Sequence, residues 1–353
     1  MIKIITPDEA LRKNNSVFVD VRAPIEFNEA TIPGAVNIPI FDDRERALLG
    51  EIYNNVSSSA AMEKGLEIAS AKLPKIYFEF KKLKENYRNI IIFCWRGGMR
   101  SRAIASILQL MKMDDLFLLE GGYKGYRKYI YNKLNLMNFD FDLIVLHGMT
   151  GTGKTKVLEI LEEKGLPVIN IEQLAQNRGS VFGNLGLTGS ISQKMFDSLL
   201  FNKITEINYP FAFIEAESRR IGNLYIPNRF FAHMKEGIHI LIEAPIELRI
   251  QRIMEEYVYN NPVDVMNIED IKNRIMRLKD RLGKEKCKLM VELLSKRDFN
   301  SLIKELLLNY YDPLYQYSEN KVSDFKKTIN AYNLHETAND LINYVKNEYD
   351  FSV

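Results

Sequence analysis

The segment Gly148-Met149-Thr150-Gly151-Thr152-Gly153-Lys154-Thr155 restricts the fold of this 353-residue chain more than any other. It follows a short apolar run, Leu143 to Leu146, and opens a stretch from Lys154 to Lys164 with helical apolar spacing. A glycine-rich turn between a strand and a helix aims several backbone N–H groups at one phosphate. Lys154 is then expected to reach the terminal phosphate oxygens, and the Thr155 hydroxyl to help hold Mg²⁺. An α/β unit therefore starts near Asp142. Phe211 to Ile214 and Ile238 to Ile242 supply further strands, and from Glu247 onward the pattern is mostly helical.

In a phosphate-binding unit of this kind a carboxylate is expected just beyond a later apolar strand. Phe211 to Ile214 runs into Glu215-Ala216-Glu217-Ser218-Arg219-Arg220. Either Glu215 or Glu217 suits the orientation of Mg²⁺ or its waters, and Arg219 and Arg220 suit phosphate charge. The bland alternative is a polar strand end paired within itself. The candidate phosphate-binding set is thus Gly148, Gly151, Gly153, Lys154, Thr155, Glu215, Glu217, Arg219 and Arg220, with Thr155 and Glu215 as the candidate Mg²⁺ pair. Nothing in it names adenine or guanine.

At 353 residues the chain is too long for one ordinary core and comfortable for two. The first part also alternates strands and helices: Ile2 to Ile5, Val17 to Val21, Ile90 to Phe93 and Leu116 to Leu119 read as strands, and Ser101 to Met113 as a helix. Thr6-Pro7-Asp8-Glu9 carries a helix start, with Thr6 as cap and Glu9 completing a capping box. The polar stretch Asn132 to Phe141 reads as the linker, which gives domains 1–134 and 140–353.

Hydrophobic residues make up 46% and charged residues 27%, a composition that excludes a disordered chain. A net charge of +2 neither requires nor excludes a nucleic-acid partner, so only local clusters of Lys and Arg bear on one. The first residues lack the apolar core of a signal peptide and no run is long and apolar enough to span a bilayer; the expectation is a cytoplasmic protein without a membrane partner. With 2 cysteines, a disulfide framework or a four-ligand zinc site has no material.

Cys94 must then be explained as a lone thiol. It stands where a strand ends, in Cys94-Trp95-Arg96-Gly97-Gly98-Met99-Arg100-Ser101, and Ser101 is placed to cap the following helix. A loop with two glycines can curl its amides around one atom, and those amides with Arg96, Arg100 and the helix N-terminus should lower the thiol pKa. Cys94, Arg96 and Arg100 form the candidate catalytic set. A packed cysteine at a strand end is the bland alternative, but it explains neither the glycines nor the arginines.

At this point the sequence becomes recognisable. Phe18-Val19-Asp20-Val21-Arg22, Glu26-Phe27, Ile32-Pro33-Gly34-Ala35-Val36-Asn37-Ile38-Pro39, the Cys94 loop and Glu120-Gly121-Gly122-Tyr123 resemble a rhodanese domain in order and spacing. In that family the loop cysteine carries a persulfide or similar chalcogen adduct, and Asp20 and Arg22 belong to the scaffold. Fused to a unit with GMTGTGKT, such a domain resembles the tRNA 2-selenouridine synthase family. The resemblance continues through Arg178-Gly179-Ser180-Val181-Phe182-Gly183, Ser192-Gln193-Lys194-Met195-Phe196, Glu215 to Gly222, and Tyr311-Asp312-Pro313-Leu314-Tyr315.

The fold class implied is α/β, a rhodanese-like domain followed by a P-loop NTPase-like domain with a helical C-terminal region. The activity implied is replacement of sulfur by selenium in the 2-thiouridine of the tRNA wobble position, with selenophosphate as donor. Geranyl diphosphate would first alkylate the sulfur, giving an S-geranyl-2-thiouridine intermediate. For tRNA contact, Arg274, Arg277, Arg281, Lys284 and Lys288 recur near helical spacing, against the alternative of a solvated face. Trp95 is either a base-stacking residue or, more ordinarily, core. A second reading, a rhodanese-type sulfurtransferase fused to a nucleotide kinase or ATPase, fits Ala244-Pro245, Glu247, Arg249 and Arg252. A third, an RNA-binding protein with a nucleotide switch, leaves Cys94 without a role.

Overall fold

The computed structural model describes residues 2–176, 191–259, 268–314 and 324–349. The Arg178 to Gly183 block and Tyr315 lie outside them. The chain divides into two compact units, Met1–Met137 with Ile191–Phe201, and Asn138–Ser190 with Asn202–Val353. Among the described residues no helix is long and apolar enough to cross a membrane.

The first unit is built on five parallel strands, β1 (Lys3–Ile5), β2 (Ser16–Asp20), β3 (Val36–Asn37), β4 (Asn89–Phe93) and β5 (Leu116–Leu119), in the order β1-β5-β4-β2-β3. Central β4 is Asn-Ile-Ile-Ile-Phe, buried throughout, as a parallel strand covered on both faces demands. The capping box at Thr6 and Glu9 is present. Two helices not anticipated from the sequence, Asp43–Asn55 and Ser58–Asn86, precede β4.

Three expectations for this unit are corrected. Ser101 does not cap the helix that follows Cys94, because the helix already begins at Met99 with Gly98 as its cap. Asn132 to Leu136 are not linker: the helix Gly122–Leu136 runs through them, since Leu134 continues its buried face. Residues 191–201, assigned from sequence to the second domain, pack with the first unit. There Arg127 Nη2 meets Asp197 Oδ2 at 2.7 Å, Lys194 Nζ meets Glu29 Oε1 at 2.6 Å, and Phe201 lies edge-on to Tyr129.

The second unit also has five parallel strands, β6 (Asp142–His147), β7 (Val168–Ile169), β8 (Phe211–Glu215), β11 (Ile238–Glu243) and β12 (Lys327–Asn330), in the order β12-β11-β6-β8-β7. A hairpin of β9 (Arg220–Ile221) and β10 (Leu224–Tyr225) stands apart from that sheet. Leu341 and Val345 of the helix Leu334–Tyr349 share a core with Val157 and Leu161 of the helix Lys154–Glu163. The C-terminal region is not wholly helical: β12 lies in it and extends the sheet, with Ile329 buried at its middle. A separate core joins the helices Ile246–Met254, Ile268–Arg277, Lys284–Ser295 and Phe299–Leu306. The expected basic stripe is broken here. Arg274 and Arg277, Arg281, and Lys284 with Lys288 fall on three successive helices, turned apart at Leu278 and at Gly283, whose φ is +80°.

In both units the candidate loops leave the C-terminal end of a strand, Cys94 from β4 and Gly148 from β6, which is where open α/β sheets present ligands. Gly122 carries the first arrangement. Its φ is +58°, and a Cβ there would stand 2.3 Å from both Cys94 O and Gly97 N. Gly122→Ala is expected to lower stability by about 2–4 kcal/mol, because the clashing atoms are backbone. Gly34→Ala, at φ +77° with open space around it, is expected to cost only about 1 kcal/mol. Denaturant unfolding of the two variants checks the difference; equal losses would remove the packing argument.

Candidate functional sites

The Cys94 loop is a turn whose carbonyls are taken up by another helix. Tyr123 N–H donates to Cys94 O and Lys124 N–H to Trp95 O, both at 2.9 Å. Gly97, at φ +63°, lies so close to this helix start that a Cβ would meet Leu119 O at 2.9 Å. The Glu120-Gly121-Gly122-Tyr123 segment is therefore the buttress of the cysteine loop. Below it Arg22 and Asp20 form a buried ion pair at 2.6 Å, and Arg22 also donates to Ala30 O at 2.7 Å. The Arg22 guanidinium lies 4.3 Å from the Tyr123 ring centroid and 5.9 Å from that of Trp95. Asp20 and Arg22 are scaffold; Trp95 is half-buried against Tyr123.

Cys94 is 3% exposed, with Sγ 3.3 Å from the Ser101 hydroxyl. Burial pushes the thiol pKa up. The Ser101 hydroxyl and backbone, the Arg100 guanidinium and the Gly98 backbone outweigh it, and the thiol titrates below its ordinary range. Arg100 is half-buried and held by Glu26 at 3.1 Å, whereas Arg96 is exposed. Of the candidate pair, Arg100 is the one whose charge acts on the thiol. Ser101 enters as a site residue in its own right, at the helical position that faces back to Sγ.

The loop 148–155 has Gly148, Gly151 and Gly153 at positive φ, +142°, +82° and +91°. A Cβ at Gly148 would meet Ile242 O at 2.3 Å, so only glycine fits. Lys154 Nζ donates to Gly148 O at 2.6 Å and lies 3.4 Å from Glu215 Oε1; the Thr155 hydroxyl donates to Glu215 Oε2 at 3.1 Å. Glu215 thus meets both Lys154 and Thr155. Glu217 is half-buried, and burial, then Glu215 and Glu172, raise its carboxyl well above the usual range against the pull of Lys154. Arg219 and Arg220 are exposed beside the Tyr225 ring at 5.9 and 5.8 Å, and Arg220 Nε donates to Gly222 O. Arg220 opens strand β9 of the hairpin, paired with Tyr225, and Arg219 precedes it.

Burial, His239 and Lys154 hold His147, the residue before the loop, down to about 3, so it is neutral at physiological pH; its Nε2 is 2.8 Å from His239 Nδ1. Beside the loop lies a cavity of about 350 Å³ lined by Met149, Thr152, Leu241, Ala244, Pro245 and Tyr332 among others. Sequence reasoning missed Asp312 as a site residue: its carboxylate takes Arg249 at 2.5 Å in the interior, while Arg249 Nε donates to Thr150 O. The Tyr311-Asp312-Pro313 motif was the signal. Among the described residues no group of three or more His, Cys, Asp or Glu side chains is placed to hold a metal; the oxygen pair of Thr155 and Glu215 suits Mg²⁺ only together with a bound phosphate and water.

A parallel sheet presenting a lone activated cysteine, on one chain with a second parallel sheet presenting a phosphate cradle, defines a rhodanese-like unit joined to a P-loop unit. Residues 7–129 match the rhodanese-like domain model, and residues 141–349 match that of the tRNA 2-selenouridine synthase AAA domain. The tRNA 2-selenouridine synthase of Bdellovibrio bacteriovorus is 30% identical over 356 residues, covering 89% of this chain and 92% of the relative. That of Psychromonas ingrahamii is 30% identical over 331 residues, covering 87% and 88%. Among solved structures, the N-terminal domain of an ATP/GTP binding protein from Clostridium difficile 630 is 39% identical over 36% of this chain and 98% of its own, with a TM-score of 0.35. The chain belongs to the tRNA 2-selenouridine synthase family.

The thiol environment makes a pH prediction. Alkylation of Cys94 by iodoacetamide is expected to follow the thiolate, with a midpoint below the roughly 8.5 of a free thiol. Ser101→Ala should move that midpoint upward, because the hydroxyl favours the charged form, while Cys287, whose thiol burial raises, stays slow. Mass spectrometry of the two cysteine peptides against pH reads this directly; a Cys94 midpoint at or above the free value would refute it.

Proposed function

We propose that this chain is a tRNA-modifying transferase that replaces sulfur by selenium in wobble 2-thiouridine, with selenophosphate as selenium donor and geranyl diphosphate as alkylating co-substrate. The reading is supported above all by one observation: a single chain of this family carries both a cysteine whose thiol is shifted toward the thiolate and a glycine-rich loop in which Lys154 and Thr155 meet Glu215. Each half of the chemistry needs one of them. A thiocarbonyl sulfur leaves poorly, whereas after alkylation selenium can bond to the base carbon while the carbon–sulfur bond breaks and the sulfur departs with its alkyl group as a thiolate.

In the alkylation step the thiouridine sulfur forms a bond to the allylic carbon while the carbon–oxygen bond to diphosphate breaks. Negative charge then grows on the leaving diphosphate, where loop amides and Lys154 stabilise it. Thr155 and Glu215 are the residues that would hold Mg²⁺, which when bound supplies further charge neutralisation. The apolar side of the cavity, Met149, Leu241, Ala244 and Pro245, would receive the hydrocarbon chain. Cys94 handles selenium, and its soft thiolate has no part in the alkyl transfer.

The deciding experiment is mass analysis of nucleosides from 2-thiouridine tRNA incubated with the protein, geranyl diphosphate and selenophosphate. Cys94→Ala is expected to stop selenouridine formation while S-geranyl-2-thiouridine still forms. Loss of both products from a folded Cys94→Ala protein would defeat the division of labour. Lys154→Ala is expected to lower geranylation by about 10²–10³-fold, the scale on which one stabilising donor acts, yet to leave selenation of pre-geranylated tRNA largely intact. Geranylation that requires ATP hydrolysis would return the loop to an ATPase role and favour a sulfurtransferase fused to a kinase-like unit.

A further inference from the structure

A loop that turns its N–H groups inward must turn its carbonyls outward, and in the interior each carbonyl needs a donor. Two arginines of the helix Ile246–Met254 provide them. Arg249 Nε donates to Thr150 O at 2.8 Å, and Arg252 Nη1 donates to Thr152 O at 2.6 Å. Gly151 stands between these points with its bare backbone against the same helix, and Gly153, just after the second, lies against both Arg252 and Leu334. A Cβ at Gly151 would lie 2.9 Å from Arg249 O, and one at Gly153 would lie 3.3 Å from Arg252 Nη1.

Both guanidiniums are engaged by acceptors of the protein itself. Arg249 is 3% exposed and its two Nη atoms are occupied by Asp312, at 3.1 and 2.5 Å, so its charge is neutralised where it stands. Arg252 points its other arm at the carbonyls of Ala331 at 2.5 Å and Tyr332 at 3.5 Å, beyond the end of β12. What both side chains offer the loop is directed hydrogen bonds from fixed positions.

We infer that Arg249 and Arg252 are positioning residues of the phosphate loop: by holding the Thr150 and Thr152 carbonyls outward, they keep the neighbouring N–H groups turned toward an anion before it arrives. Asp312 is the anchor of the device, because it fixes the plane of the Arg249 fork. Tyr311, its neighbour in sequence, is packed in the helical core with Ile250, so the grip on the cradle is set by the C-terminal helices. The benefit is preorganisation, since a loop already held in its binding shape loses little freedom when the ligand enters. The inference rests on the reading of the loop as a diphosphate site.

The test uses the full chain, with two readouts: amide hydrogen exchange of peptides covering 148–155 without ligand, and calorimetric titration with inorganic pyrophosphate. In Arg252→Ala, exchange across the loop is expected to rise and pyrophosphate affinity to fall about tenfold, the scale of one charged-group hydrogen bond, with exchange elsewhere unchanged. Arg252→Gln, which offers an uncharged donor, should recover part of both; a residue acting by charge on the ligand would not be rescued so. Asp312→Asn should shift both readouts in the same direction. An affinity loss with unchanged loop exchange would make Arg252 a direct ligand contact, and faster exchange throughout the unit would make it an ordinary structural residue. Either outcome, or an unchanged affinity, overturns the inference. Because exchange is read without ligand, it decides the clamp even where the wild-type protein binds no pyrophosphate, and in that case the diphosphate reading is what fails.

Discussion

Backbone polarity is the constraint on which both loops depend. An amide cradle is made by rotating successive peptides so that N–H groups converge, and every such rotation sends a carbonyl the other way. The two units solve this differently. Behind Cys94, the first amides of the helix that starts at Gly122 take the carbonyls of Cys94 and Trp95, so backbone satisfies backbone and glycine is required on both sides. Behind the Lys154 loop, the donors are side chains from a helix more than a full strand away in sequence. The first arrangement is compact and rigid. The second ties the cradle to the helical region that carries Asp312.

Charge is placed with equal economy. Asp20 and Arg22 are both buried, and removing one partner of such a pair costs about 3–5 kcal/mol because the other charge is stranded. Their fork also connects Ala30, Thr31 and the ring of Tyr123, so one ion pair fixes the ground beneath the cysteine loop. In the second unit Lys154 is met by Glu215, while Glu217 beside it is pushed toward its protonated form. The two carboxylates thus differ: Glu215 is engaged with Lys154 and Thr155, and Glu217 binds a proton more readily than usual.

Features encoded within a short window were legible in the sequence. The strands at Leu116 and Phe211, the capping box at Thr6, and the glycine loop before Lys154 each declare themselves over a few residues, because strand alternation, caps and turns are local physics. The glycines at 121 and 122 were noticed as a motif, but their work of supporting Cys94 needs two strands to lie side by side first. Ser101 reads as the cap from sequence because Gly98, the true cap, offers no side chain to announce it. Glu215 and Glu217 were inseparable by pattern, one turn of chain apart from the same strand end; register against β6 decides which faces Lys154. The motifs holding Arg249 and Asp312 are each visible, but their pairing is not, as nothing local joins residues so far apart. The strand at Lys327–Asn330 was missed because a four-residue edge strand with one buried side chain carries almost no periodic signal.

The return of residues 191–201 to the first unit has a consequence for synthesis of the chain. Domains commonly fold in order of emergence, each when its last residue is free. Here the contacts of Arg127 with Asp197 and of Glu29 with Lys194 are still to be made when Met137 appears. By then β6, the glycine loop and the helix at Lys154 are already outside the ribosome, waiting for β8 to pair. The last contacts of the first unit therefore form while the second is already emerging, and a gene fragment cut at the sequence linker would encode a first unit without residues 191–201.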